Sequence, residues 1–195
     1  MLSPAFAWLR LYSGPLRLEV MDEAAAEALS LRSRPEDIFR DPTVSYRFAW
    51  LGGSPEEFLA VQHELIRALP TRPSTRWCVK FVAWRGEELI GCIDLRRGER
   101  FSTGSYVLAE HQGQGLGTRM RLMVADFAVR HLDAPALYSL TQSGNSASEA
   151  VSRRCGYARV GVEPNGATLW CLSPEHLPPT HTRAYHVRGA AELLR

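Results

Sequence analysis

Apolar positions along the chain shift between a period of two and a period near 3.6, and the shifts mark out the elements. Leu16-Arg17-Leu18-Glu19-Val20 alternates as a half-buried strand does. Asp22 then stands where its carboxylate can accept the free N–H groups of a helix over residues 23–31. Ser54-Pro55-Glu56-Glu57 combines a cap, a proline suited to the first helical position and an acidic first turn; the apolar side chains from Phe58 to Leu69 follow at helical spacing and stop before Pro70. Residues 77–84 and 88–95 are β-rich runs joined as a hairpin at Arg85-Gly86-Glu87, and residues 101–109 add the next antiparallel strand. A long amphipathic helix ends near Leu132, with Leu116, Met120, Met123, Val124 and Phe127 on its apolar side. Residues 137–141 predict a strand, a helix starts at Asn145, and residues 157–162 and 167–172 form a terminal hairpin in which Asn165-Gly166 is a two-residue turn signal.

Three stretches lack a clear period. Residues 1–15 form a loosely defined N-terminal segment, and residues 34–53 are irregular yet aromatic, with Pro35, Pro42, Gly52 and Gly53 among Phe39, Tyr46, Phe48 and Trp50. The tail, residues 173–195, carries Pro174, Pro178 and Pro179, then His181, Tyr185 and His186, with a short helical end at residues 190–194.

Composition narrows the class. A chain of 195 residues, 45% hydrophobic and 23% charged, fits one globular domain spanning residues 1–195. Its 23 basic residues are nearly matched by 21 acidic ones, so no basic footprint for nucleic acid is present and such a partner is not expected. Cys78, Cys92, Cys155 and Cys171 form no CxxC pair and read as reduced core residues, and the six histidines show no ligand spacing, so no metal is expected. Apolar runs break well before the ~18 residues of a membrane span. Residues 1–20 lack the basic start, apolar core and cleavage site of a signal peptide, which makes a cytoplasmic protein the expectation.

The strand at residues 101–109 delivers the chain to Gln112-Gly113-Gln114-Gly115-Leu116-Gly117-Thr118 and thence to the long helix. A helix N-terminus free of bulky side chains offers unpaired N–H groups and partial positive charge to an anion. A Walker loop is excluded because no lysine follows; Lys80 is the chain's single lysine. A dinucleotide fingerprint is excluded because Thr118 stands where the third glycine belongs. Gln112, Gly115 and Gly117 do satisfy Q/R-x-x-G-x-G/A, which resembles the acyl-CoA pyrophosphate loop of the GNAT superfamily of N-acyltransferases. Asn145, Ser148 and Gly156-Tyr157 resemble the NxxS…G[FY] block of that superfamily's Rim-type branch.

The resemblance implies an α/β (α+β) fold with a mixed, mostly antiparallel sheet of about six to seven strands, splayed at its centre and flanked by about four helices. It implies acetyl-CoA, or another acyl-CoA, as co-substrate without a metal, with acetyl as the default acyl group and a succinyl or longer group left open, since some members take such donors. The acceptor would be the amine of a small molecule or of a protein N-terminus, walled in part by residues 34–53; family members often pair as homodimers. By the same resemblance, main-chain N–H groups from Gln112 through Gly113, Gln114, Gly115, Leu116 and Gly117 to Thr118 would hold the pyrophosphate. Tyr106, Val107 and Leu108 would pair with pantetheine, and the Val107 N–H would polarise the thioester carbonyl. Asn145 would bind the pantetheine arm or cap a helix, and Ser148 would stand near the sulfur or merely occupy the first turn. The tyrosine that many members place seven residues after this asparagine is Ser152 here. Base candidates are Glu110, Asp94, Glu163 and the tail histidines; His111, beside the loop, could pair with phosphate but is expected to be exposed. Two other readings remain open: a catalytically weak CoA-binding module, and an enzyme with an aminoacyl-tRNA or carrier-protein donor.

Overall fold

The computed structural model describes residues 6, 8–41, 54–69, 76–178 and 186–189. Strands β1 (Arg10–Ser13), β2 (Leu16–Val20), β3 (Trp77–Arg85), β4 (Glu88–Arg97), β5 (Phe101–Val107), β6 (Leu137–Thr141), β7 (Ala158–Val162), β8 (Thr168–Leu172) and β9 (His186–Arg188) form one sheet in the order β7-β8-β6-β5-β4-β3-β2-β1-β9. Helices α1 (Glu23–Ser30), α2 (Pro35–Ile38), α3 (Pro55–Arg67), α4 (Leu116–His131) and α5 (Ser146–Arg154) flank it.

Local chemistry explains the boundaries. Asp22 accepts the Ala25 N–H at 2.8 Å to start α1. Ser54 and Glu57 exchange reciprocal bonds as a capping box ahead of α3, with Pro55 at its first position. Gly86, at φ +62°, turns β3 into β4.

Side-chain alternation gives the sheet two buried faces. Val79, Phe81, Ile93, Leu95 and Phe101 meet Met120, Met123, Val124 and Phe127 of α4 on one face. On the other, Val82, Cys92 and Tyr106 meet Ala26, Leu29, Phe58 and Ile66 of α1 and α3. Each Val, Leu, Ile, Phe or Met side chain fully buried there contributes about 1.5–3 kcal/mol. The helix expected to be amphipathic is covered on nearly all sides: every residue from 120 to 128 is buried, Arg121 and Asp126 included. All four cysteines are free; Cys92 and Cys155 are buried and the other two half-buried.

Nine strands and five helices exceed the expected six to seven and about four, for identifiable reasons. Leu9, Leu11 and Ser13 all face inward, but the set ends in a serine, so β1 did not read as alternating; Gly14, at φ +56°, turns it into β2. β9 is three residues long and adds to the outer edge of β1. α2 is a single turn begun by Pro35. The expected helical end at residues 190–194, His181, Tyr185 and much of the aromatic stretch at residues 42–53 lie outside the described residues.

One junction breaks the sheet's regularity. β5 and β6, its only parallel neighbours among the described strands, pair at Phe101 with Leu137 and at Ser102 with Tyr138, and at no later position. β5 stays with β4 as far as Val107, and β6 stays with β8 as far as Thr141. The two strands therefore part like a V, opening toward the N-terminus of α4.

Candidate active site

The V opens into a cavity of about 480 Å³ lined by β5, the glycine turn, the start of α4, the end of β6 and the first turns of α5. At its mouth Gly113 and Gly115 adopt φ of +80° and +75°, a left-handed geometry that side chains resist. Gly115 is the N-cap of α4 and no side chain caps that end. A Cβ added to Gly115 would meet nothing within 4 Å, so the residue is needed for its backbone angle and leaves open space before the helix N-terminus. Gly117 has an ordinary helical backbone; its added Cβ would touch Val107 and Val151 at ordinary distances of 3.6 and 3.7 Å.

The side chains of the turn are braces. The Gln112 amide donates to Ile38 O at 2.6 Å and to Val107 O at 2.8 Å, tying the end of α2 to the end of β5. Gln114 accepts from Arg85 at 2.7 Å and lies outside the cavity. Arg40, not singled out from the sequence, donates to Ala109 O at 3.2 Å and to Gln112 O at 2.5 Å and lies across Gly113 at the mouth. His111 is buried, 5% exposed, with Nε2 3.7 Å from Glu88 and 3.8 Å from Glu110; the exposed loop histidine expected from its position is not found.

Midway down, Leu108 N–H donates to Ile90 O at 2.8 Å. Strand alternation then turns the N–H and C=O of Val107 to the opposite side, toward the V. Tyr106 and Val107 line the cavity, whereas Leu108 is fully buried outside it. Facing them, Asn145 Oδ1 accepts the Ser148 N–H at 3.0 Å as the cap of α5. Ser148 Oγ lies 3.3 Å from Thr141 Oγ1. Leu116, Thr118, Asn145 and Ser148 all line the cavity.

The floor holds an arginine. Arg121, 3% exposed, donates to Ser139 Oγ and Ser152 Oγ at 3.0 Å each and to Ser105 Oγ at 3.2 Å. Ser105 and Ser139 belong to the two parting strands, so the guanidinium bridges the base of the V. Ser152 is wholly buried, spends its proton on Ser148 O at 3.1 Å and does not reach the cavity.

The acidic candidates separate clearly. Glu110 pairs with Arg32, which holds its carboxyl below the usual range, and lies outside the cavity. Glu163 stands in the β7–β8 turn, also outside it, with its N–H donating to Ala167 O. Asp94, 5% exposed, takes the Gly104 N–H at 2.8 Å and Arg96 at 2.6 Å, and Gly104 lines the cavity. Burial pushes the Asp94 carboxyl above its ordinary value against the opposing pull of Arg96 and Lys80. His186 is placed on β9, at the far edge of the sheet from the V. Among the described residues no cluster of three or more metal-ligating side chains forms, and no helix is long and apolar enough to cross a membrane.

Residues 16–158 match the family model described as an acetyltransferase (GNAT) domain. Among solved structures, RimL, a ribosomal L7/L12 alpha-N-protein acetyltransferase in complex with coenzyme A, is 16% identical, with a TM-score of 0.62 over 83% of this chain and 95% of that one. Mycobacterium smegmatis RimJ in complex with CoA-disulfide is 16% identical, with a TM-score of 0.66 over 100% and 96%. A spermidine N-acetyltransferase SpeG chimera from Vibrio cholerae and hSSAT is 14% identical, with a TM-score of 0.63 over 82% and 96%. At these identities the likeness is one of fold.

Proposed function

Since the chain belongs to the acetyltransferase (GNAT) family, we propose that it transfers an acyl group from an acyl-CoA to a primary amine of a small molecule or protein N-terminus by direct attack. The observation that carries this reading is the junction of an uncapped helix N-terminus, made by left-handed Gly113 and Gly115, with a cleft between parting strands. The mouth suits a pyrophosphate, through the free N–H groups of residues 115–118 and the nearby Arg40 guanidinium. The exposed edges of β5 and β6 suit an extended pantetheine arm, and Asn145 stands beside them.

The co-substrate supplies an activated acyl thioester. The C–N bond forms as the C–S bond breaks; the amine gives up a proton and the sulfur gains one. Val107 N–H, turned into the V, donates to the carbonyl oxygen where charge develops. Ser148 Oγ, held near Thr141, donates toward the sulfur. Asp94 takes the amine proton, directly or through one water: its carboxylate accepts the N–H of cavity-lining Gly104, and burial raises its pKa, which strengthens it as a proton acceptor. Ser152 offers no acid, because its hydroxyl is committed beneath α5.

Calorimetric titration with acetyl-CoA and free CoA tests the reading, repeated on Gly115→Asp. That substitution sets an anion and a strained backbone before the helix N-terminus and should weaken binding by about 100-fold or more. Wild-type protein that binds no CoA species would end the acyl-CoA reading and revive the carrier-bound or tRNA-bound donors. Tight CoA binding without transfer to any amine would favour the binding-module reading, consistent with the missing tyrosine.

A further inference from the structure

The floor of the cleft holds a cation that acetyl transfer does not require. An arginine side chain is a cation in proteins. Arg121 is 97% buried, and its described polar partners are three neutral hydroxyls. Its Nε is enclosed with no acceptor, and the ring of Tyr157 lies 5.9 Å from the guanidinium. The carboxylates of the two helices that meet there pair with other arginines: Asp126 of α4 with Arg130 at 2.7 Å and Glu149 of α5 with Arg153 at 2.8 Å. Among the described residues none forms an ion pair with Arg121. Hydroxyls satisfy hydrogen bonds but do not neutralise charge, and a buried charge without a counter-ion is costly. The group borders the cavity, so a ligand can bring the missing anion.

Distance along β5 narrows what that anion is. Ser105, which holds one arm of the guanidinium, precedes Val107 by two residues on the same face, about 6.8 Å along the strand. An acyl chain whose carbonyl sits at the Val107 N–H and whose tail points toward the base of the V ends near Arg121 when it is four carbons long. An acetyl group stops well short. We propose that the acyl donor carries a terminal carboxylate, a succinyl-type dicarboxylic acyl-CoA, and that Arg121, held by Ser105, Ser139 and Ser152, receives that carboxylate. This inference rests on the acyl-CoA reading of the cleft and names its acyl class. Ser139 and Ser152 engage both protons of Nη1 and Ser105 one of Nη2, which leaves the second Nη2 N–H for a charge-assisted bond to the carboxylate.

The test compares dissociation constants of the wild-type protein for acetyl-CoA, succinyl-CoA and succinamoyl-CoA, the last a neutral isostere of the second. The expected result is that succinyl-CoA binds about tenfold or more tighter than either neutral donor, as a buried charge-assisted contact provides. Arg121→Met should bring the succinyl-to-succinamoyl ratio to about one, and Arg121→Lys should keep part of it. Equal wild-type affinity for succinyl-CoA and succinamoyl-CoA overturns the proposal while leaving the acyl-CoA reading intact. A preference that persists in a folded Arg121→Met also overturns it, by showing that another group reads the carboxylate. Binding of no CoA species overturns both. Should Arg121→Met fail to fold, Arg121→Lys decides: the succinyl-to-succinamoyl ratio should fall below the wild-type value, and an unchanged ratio overturns the proposal.

Discussion

The two ends of the cleft are made of different materials. At the mouth, Gly113 and Gly115 set backbone angles that leave helix N–H groups open, while the side chains of Gln112 and Gln114 turn away to brace neighbouring segments. At the floor, side chains make the surface: Arg121 and Ser105 line it, and Ser139 of β6 and Ser152 of α5 hold the guanidinium from behind. A backbone site recognises what many ligands share, a diphosphate, and tolerates most side-chain changes that keep φ. A side-chain site discriminates, and single atoms matter there. General donor binding and acyl selectivity are thereby separated along one cleft.

The sharpest way to break that contrast is at Asp94, where one side chain on the opposite face of the sheet is assigned the proton transfer. Asp94→Asn keeps an acceptor for the Gly104 N–H, so acyl-CoA affinity should hold while kcat/KM falls by about 100-fold or more. The wild-type rate should rise with pH through an inflection above the ordinary aspartate value, and the variant should lose that limb. The sign for stability is opposite. Burial raises the folded-state pKa, so the protonated form favours folding; that contribution is full below the ordinary carboxylate range and is lost as pH climbs through the raised value. Melting curves against pH for both proteins check it, and a variant with wild-type rates would remove Asp94 from the chemistry.

Next in size is Ser152→Tyr, which restores the residue many relatives use as acid. The position has no exposed surface and its hydroxyl partners Arg121 and Ser148 O, so a ring there overpacks the contact between α4 and α5. The expected cost is about 1–3 kcal/mol, read as a melting temperature several degrees lower, with no gain in rate. A stable variant with faster turnover would show that the floor has room for a proton donor and that the serine–arginine network is dispensable.

The contrast also explains what the sequence disclosed. The glycine turn was legible because left-handed backbone demands particular residues at fixed spacing, and the meander from β2 to β5 because alternation and turn chemistry agree there. Arg121 was not, because the long helix read as amphipathic and a charge on it passed for solvent-facing; coverage by the sheet and α5 buries both sides. A signal existed nonetheless: positions three and four away, Gly117, Thr118, Val124 and Ala125, offer no carboxylate to pair with it. Glu110 stood among the base candidates with no signal to set it apart, and Arg32, 78 positions away, pairs with it. Asp94, interrupting the apolar run Ile90-Gly91-Cys92-Ile93, carried as strong a clue as any acid. β9 was out of reach, since three residues hold no period.

The smallest expected effects test whether the mouth is truly backbone-built. Gln114→Ala removes a side chain that faces Arg85, and acyl-CoA affinity should stay within about twofold of wild type. Asn145→Asp probes the border between the two materials. An aspartate caps α5 as well as asparagine does and adds a favourable charge at the helix N-terminus, so the melting temperature should hold or rise slightly. The lost amide N–H, however, can no longer donate to the pantetheine arm, and affinity should fall by a few-fold, about what one neutral hydrogen bond contributes. An Asn145→Asp protein with unchanged affinity would reduce Asn145 to a helix cap. A Gln114→Ala protein that loses CoA would mean that side chains, not only the peptide backbone, form the phosphate end of the cleft.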